Sequence, residues 1–309
     1  MPAMQLSMGI PSFSAEAPPN WEHLTDWAQL LEGCGFDRLL VSEHIAFGMN
    51  MDAYADPRSG GTKGGRQPTG PDGDWLEPLT TLTYLAARTQ RIRLGTNILL
   101  AALRPAAVLA KTLATMDVLS GGRVDLGVGV GWQREEYQVA GVDFENRGAV
   151  LDQTLEVCQR LWQENEVSYQ SATLSFDRIH QMPKPVQPGG VPIWVSGTVN
   201  RPVARRLARF GKGWIPWGED ARDMAGGIAR MRAAVERAGG DPLGFGVTGT
   251  LRVRAAADGR PDLTEVAANA VSFAKAGVTD LRMTHWPLPG GDRERDIAAL
   301  ADAVRDATR

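Results

Sequence analysis

An α/β architecture, a (β/α)8 TIM-like barrel with insertions, is the fold this sequence predicts, and three observations predict it. Strand-like and helix-like segments alternate through 309 residues, and alternation at that density implies a parallel sheet with helices outside. Eight such units can be counted, which suits a closed barrel better than the runner-up, an open doubly wound sheet. One strand is also built asymmetrically: Val124, Leu126, Val128 and Val130 alternate with Asp125, Gly127, Gly129 and Gly131. Alternate residues of a strand face opposite ways, so one face packs and the other is nearly bare backbone. Such a glycine row marks the close approach of a ligand or another backbone, and a crowded barrel interior explains it equally well.

Taken in order, the first strand spans Gln5 to Ile10 and ends at Pro11. A helix over Asn20 to Glu32 sets Leu24, Ala28 and Leu31 on one face, and Gly33 and Gly35 close it. The second strand, Asp37 to Ser42, delivers Glu43 and His44 at its C-terminal end, where barrel function gathers. Residues 46–75 are rich in glycine and proline and lack periodicity, so they read as a lid or a flexible insertion beside that pair. A helix over Pro78 to Thr89 and a third strand over Ile92 to Ile98 follow. The next helix starts at Pro105, a favoured first-turn residue, and Ser120 to Arg123 turn into the glycine-faced strand. REEYQVAG is a short helix and Val150 to Gln163 a longer one. Residues 165–190 form an excursion with short β-like runs, within a single barrel domain covering 1–309. Strand five is Pro192 to Val195, followed by a helix at Val203 to Phe210. Strand six, Gly213 to Pro216, precedes a helix over Ala221 to Ala238. Strand seven is Phe245 to Arg254 and its helix Leu263 to Ala276. Strand eight is Thr279 to Met283, and Arg293 to Asp306 is the last helix.

Composition narrows the function classes. A formal charge of −3 offers no electrostatic reason to expect nucleic acid as a partner. No run of 18 apolar residues exists, which argues against a membrane span, and no membrane is expected among the partners. The start carries no basic-then-apolar leader, so a cytoplasmic location is expected. Cys34 and Cys158 stand alone and outside metal-ligand spacing, so both read as core thiols and no metal site is expected. Gly129 and Gly131 lack the third glycine of a dinucleotide fingerprint, position 134 being Arg134, and no phosphate loop of the G-x-x-x-x-G-K-S/T kind occurs.

The run IRLGTNILLAALRPAAVLAKTLATMDVLSGGRVDLGVGVGWQREEYQVAGVDFENRG, then PKPVQPGGVPIWVSG and ARFGKGW, resembles the bacterial luciferase-like flavin and deazaflavin oxidoreductase superfamily over nearly the whole chain. VSEH, WLEPLTTLTYLA and GVGVGWQREEY are similar to its coenzyme F420-dependent branch. The resemblance implies a barrel holding a flavin-shaped ring at its C-terminal end, with a non-proline cis peptide at Asn97-Ile98 forming a bulge behind the ring, next to Gly129 and Gly131.

His44 matches the family's histidine near the reactive ring, which implies a proton donor or acceptor, or a hydrogen bond that orients substrate; a satisfied structural histidine is the alternative. Glu43 either orients that imidazole or caps a turn. Ser196, Gly197 and Thr198, with Trp217 and Gly218, match loops that hold the cofactor phosphate, where small residues expose backbone N–H donors near a helix start. Without the resemblance they are ordinary turns. Trp132, His285 and Trp286 fall near strand ends as substrate-pocket candidates, an ordinary core tryptophan being the alternative for Trp132. Trp132 stands where some deazaflavin sugar-phosphate dehydrogenases carry a catalytic glutamate, and Gly48 where they carry an aromatic, so glucose-6-phosphate oxidation is not expected. The resemblance thus implies F420-dependent hydride transfer with a small-molecule substrate in a homodimer. The alternatives are an FMN-dependent monooxygenase fed reduced flavin by a partner reductase, and a flavin-binding protein without turnover.

Overall fold

The computed structural model describes residues 3–284 and 292–309. Eight parallel strands close into a barrel in sequence order: β1 (Gln5–Gly9), β2 (Arg38–Val41), β3 (Arg93–Thr96), β4 (Val124–Val128), β5 (Ile193–Gly197), β6 (Gly211–Pro216), β7 (Gly246–Leu251) and β8 (Asp280–Met283). β8 returns to pair with β1, Gln5 to Met8 lying opposite Asp280 to Met283. Helices α1 (His23–Gly33), α2 (Pro78–Ala86), α3 (Ala106–Ser120), α4 (Arg134–Val139), α5 (Arg147–Gln163), α6 (Arg201–Phe210), α7 (Gly218–Arg222), α8 (Met224–Arg237), α9 (Leu263–Ala276) and α10 (Arg293–Thr308) lie in the connections.

The main core lies between strands and helices, where outward residues such as Leu6, Leu39, Leu94, Leu126, Val195 and Leu281 are buried with Leu82, Leu113, Leu155 and Leu300. Inward residues fill the barrel itself. Arg38 donates to Asp125 at 2.7 Å and pairs with Asp280, which also accepts from the Ser7 hydroxyl at 2.5 Å. Arg93 clamps Asp125 with two bonds of 2.7 and 2.8 Å, and the Arg38 guanidinium lies 4.7 Å from the Trp194 ring centre. Gly213 makes room for that indole, since a Cβ there would stand 2.1 Å from it.

Several boundaries move for local reasons. The helix expected over 221–238 is two helices, because the Asp223 side chain leaves the helical path and accepts the Gly226 N–H at 3.2 Å as the cap of α8. The glycine-faced strand stops at Val128, where the chain reaches the barrel rim, and strand seven is shorter than its apolar pattern at Gly246–Leu251. Pro105 caps α3 from outside, its ψ of 125° being extended.

The two insertions differ in position. Residues 46–75 hold two short helical turns, Met51–Ala55 and Pro57–Ser59, and a strand Asp74–Trp75 pairing with Phe13–Ser14. Residues 165–190 form an antiparallel ribbon, Val167–Gln170 with Ser175–Ile179, docked on the outer helices through a Gln181 bond to the Ala107 carbonyl at 2.9 Å. No helix among the described residues is long and apolar enough to cross a membrane.

Candidate active site

A cleft of about 1340 Å³ opens over the C-terminal ends of the strands. Its lining includes His44 after β2, Asn97 and Ile98 after β3, Gly129 to Trp132 after β4 and Ser196 to Thr198 at the end of β5. Trp217 and Gly218 after β6, and Arg282 to Thr284 at the end of β8, complete the ring. The structure therefore brings Glu43, His44, Asn97, Ile98, Gly129, Gly131, Trp132, Ser196, Gly197, Thr198, Trp217 and Gly218 to one cleft. His285 and Trp286 lie outside the described residues. The Asn97-Ile98 peptide is cis. In the glycine row a Cβ on Gly127 would stand 2.0 Å from the Thr96 carbonyl oxygen, a backbone crowding, and one on Gly129, which lines the cleft, would stand 2.8 Å from Ile98 Cδ1.

His44 and Glu43, adjacent in sequence, turn to different partners. The Glu43 carboxylate accepts from the Leu100 N–H and from Arg104, both at 2.5 Å, which ties the end of β2 to the turn after β3. Burial pushes its carboxyl up and Arg104 opposes that shift. It does not contact the imidazole. Beside His44 stands Glu136 of α4, its Oε1 3.2 Å from His44 Nδ1. Glu136 is 0% exposed, and the same oxygen accepts the Ile45 N–H at 2.9 Å. The imidazole approaches off the N–H direction, and Glu136 Oε2 has no partner among the described residues. The two atoms are within hydrogen-bonding distance but lack the alignment of a hydrogen bond.

Aromatic rings wall the cleft. Phe47, Trp75 and Trp132 lie 4.3, 4.7 and 5.8 Å from the His44 ring. Tyr54, from the first insertion, sits 5.3 Å from Trp132 and 6.4 Å from Trp217. The Trp217 indole donates to the Gly61 carbonyl at 3.0 Å, fastening the insertion over the cleft. A Cβ on Gly48 would lie 2.3 Å from the Glu135 side chain, which would have to move to admit one.

At the end formed by β5 and β6 the loops are braced from below. Trp214 donates to the Gly197 carbonyl at 2.9 Å, and Asp220 accepts the Val199 N–H at 2.7 Å. Asn200 caps α6 through the Val203 N–H at 2.9 Å, so the positive end of that helix points to the cleft. Arg147, at the start of α5, stacks on Phe144 at 3.7 Å and leaves its buried Nε without a partner. Nearby Arg206 is committed to Asp152 at 2.5 Å and to the Gly148 carbonyl at 2.9 Å.

Sequence reasoning missed Glu136, Arg147, Tyr54 and Arg282. Glu136 shares with Tyr137 the buried face of α4 in REEYQVAG, a position at which an acid is unusual. Arg282 follows Asp280 at the two-residue period of an inward strand face. No group of His, Cys, Asp and Glu among the described residues could hold a metal ion.

An uncharacterised protein of Mycobacterium tuberculosis is 35% identical over 61% of this chain and 65% of its own length. An F420-dependent glucose-6-phosphate dehydrogenase of Amycolatopsis mediterranei is 31% identical over 62% of this chain and 52% of its own. These matches thus span less than two thirds of the relatives' own lengths. Among solved structures, an F420-dependent secondary alcohol dehydrogenase superposes with a TM-score of 0.75 at 17% identity over 99% of both chains. The long-chain alkane monooxygenase LadA gives 0.73 at 13% identity over 99% of this chain and 91% of its own. Both share the fold. The luciferase-like monooxygenase family model matches residues 4–308, and the chain belongs to that family of the luciferase-like and F420-dependent oxidoreductase superfamily.

Proposed function

We propose that this chain is a coenzyme F420-dependent oxidoreductase that transfers a hydride between the deazaflavin and a small organic substrate, the barrel and its insertions acting as one catalytic unit. The observation that carries the reading is the His44–Glu136 pair, set in the aromatic wall of a cleft that ends in a helix N-terminus and the Arg147 guanidinium, whose Nη1 donates to the Phe144 carbonyl at 2.7 Å while its buried Nε has no partner among the described residues. F420 over FMN is supported by the name of the Amycolatopsis relative and by the sequence features around His44 and Trp132.

The residues fit the cofactor. Ser196, Gly197, Thr198 and Gly218 offer backbone and hydroxyl donors for a phosphate, and Arg147 Nε is a buried donor in want of an acceptor. Asn97, Ile98, Gly129 and Gly131 form the thin wall against which a flat ring would lie. When bound, the deazaflavin supplies the hydride donor or acceptor. His44 is the group that takes up or delivers the accompanying proton. Glu136, whose Oε1 lies 3.2 Å from Nδ1, would select the tautomer that leaves Nε2 for the substrate once the imidazole aligns to donate to it. Trp132, Trp75 and Tyr54 exclude water and favour an apolar or aromatic substrate body. Without the family's glutamate at Trp132 or ring at Gly48, glucose 6-phosphate is not that substrate. The resemblance extends to a cytoplasmic homodimer, which sedimentation of the purified protein would check.

Fluorescence titration of the purified protein with F420 and with FMN tests the cofactor. Saturable quenching by F420 at micromolar or lower concentration supports the reading. Quenching by FMN alone, with turnover only in the presence of a flavin reductase, would replace it with the monooxygenase. Binding with no redox change across a substrate panel would leave a carrier.

A further inference from the structure

We propose that Arg282 is a recognition subsite for the carboxylate of an organic acid, placed in the floor of the cleft. The proposal deepens the substrate class of the same site and rests on the reading that substrate binds in that cleft. β8 sends Asp280 and Arg282 to the inside of the barrel in successive layers. Asp280 is taken by Arg38 and Ser7. Arg282 makes one hydrogen bond among the described residues, to the Thr250 hydroxyl at 2.7 Å, and its buried Nε has no partner.

Other buried arginines of this barrel are answered. Arg38 has Asp125 and Asp280, Arg104 has Glu43 and Glu77, and Arg206 has Asp152. Arg123 has no carboxylate but donates to the carbonyl oxygens of Ser120, Ile92, Ala86 and Thr89. Arg104 and Arg147 each also have an open buried nitrogen, but Arg104 is held between two carboxylates and Arg147 lies near the β5 and β6 loops, where it would face the cofactor phosphate. Arg282 forms no ion pair among the described residues, although it lines the cleft. A guanidinium does not shed its proton to escape burial, so an unanswered one in a ligand-sized cleft is a positive charge held for an incoming anion. Asp280 beside it is already committed, and Tyr54 above it feels its charge.

The surroundings choose among anions. One planar fork carrying one charge matches a carboxylate, which it grips with two parallel bonds. The walls of Tyr54, Trp132 and Trp217 accept the flat apolar body that such an acid carries. An aromatic monocarboxylate fits both demands.

The test uses benzoate and its neutral isostere benzamide, titrated without cofactor and read by tryptophan fluorescence, since Trp132 and Trp217 border the cleft. Wild type should bind benzoate about tenfold or more tighter than benzamide. Arg282→Met should lose that preference, while its F420 affinity stays within about twofold of wild type. Arg282→Lys, which keeps the charge without the fork, should fall between them. Equal affinity of wild type for the two probes overturns the proposal, and so does an undiminished preference in Arg282→Met. If Arg282→Met does not fold, Arg282→Lys decides: an unchanged benzoate affinity contradicts the role. A loss in Arg282→Met of discrimination between oxidised and reduced F420, with the benzoate preference intact, would move the guanidinium to the cofactor ring and sink the proposal. Failure of wild type to bind F420 at all would overturn the previous section alone, because the acid–amide comparison contains no cofactor.

Discussion

At the N-terminal end of the barrel interior every charge among the described residues is answered: Arg38 and Arg93 converge on Asp125, and Asp280 is shared between Arg38 and Ser7. The space left among them is about 10 Å³, room for one water at most. One layer up, at the C-terminal end, His44, Glu136, Arg147 and Arg282 each carry a buried nitrogen or oxygen without a well-aligned partner, around about 1340 Å³ of cleft. The same eight strands thus hold two kinds of polar interior. Where pairing is complete, the residues stabilise the barrel and leave no place for a ligand. Where it is incomplete, the desolvation cost is sustained by the rest of the fold and relieved when something binds.

Mutations that exchange the two behaviours sharpen the contrast. The largest effect is expected at His44: His44→Ala should lower turnover by about 10²- to 10⁴-fold with cofactor affinity little changed, as steady-state kinetics beside F420 titration would read. A collapse of folding instead would return His44 to a structural role. In the lower layer, Asp125→Asn should cost about 3–5 kcal/mol of stability in chemical denaturation, because it removes the buried charge that Arg38 and Arg93 share and leaves Arg93 without a carboxylate.

A pH experiment separates the layers further. Burial alone would raise the Asp125 carboxyl, but Arg38 and Arg93 together hold it below the usual aspartate value. A depressed folded-state value contributes stability that is fully present above the ordinary value of 3.8 and is lost as pH falls through the folded one. Asp280, which burial pushes up against the opposing charge of Arg38, contributes with the opposite sign. Denaturant midpoints measured downward from pH 5 should therefore fall in wild type, with a shallower slope in Asp125→Asn. An unchanged slope would remove Asp125 from the acid response.

Smallest is the expected effect of Trp217→Phe, which keeps the ring wall but deletes the donor to the Gly61 carbonyl. About 0.5–1.5 kcal/mol of closure should be lost, seen as faster proteolysis within residues 46–75 and a severalfold rise in substrate KM. An unchanged cleavage rate would mean that other contacts hold the insertion.

How much of this was legible in the sequence follows from the range of the signals. The eight units are local patterns, read from segments such as Gln5 to Ile10 or Thr279 to Met283, and the closed barrel contains them all in order. Boundaries drifted where one side chain outweighed the pattern, as Asp223 does in splitting the helix after strand six. The site was legible at chain positions fixed by strand ends, so His44, Trp132 and Ser196 meet as the count of strands required. Glu136 was not, because its contact with His44 spans 92 positions and depends on which face of a six-residue helix turns inward. Glu43 shows the converse: adjacency to His44 suggested partnership, yet two neighbouring residues beyond a strand end point apart, and Glu43 reaches Arg104 instead. Arg282 carries no motif, and its meaning lies wholly in what fails to pair with it.

The most direct test of the contrast between a sealed lower layer and a receptive upper one is a crystal structure of the protein soaked with F420. The account predicts the tricyclic ring against Asn97, Ile98 and Gly129, with His44 facing it and the phosphate at Ser196 to Thr198 within reach of Arg147. A ring bound anywhere else, or a cleft closed by side chains with His44 turned away, would contradict it.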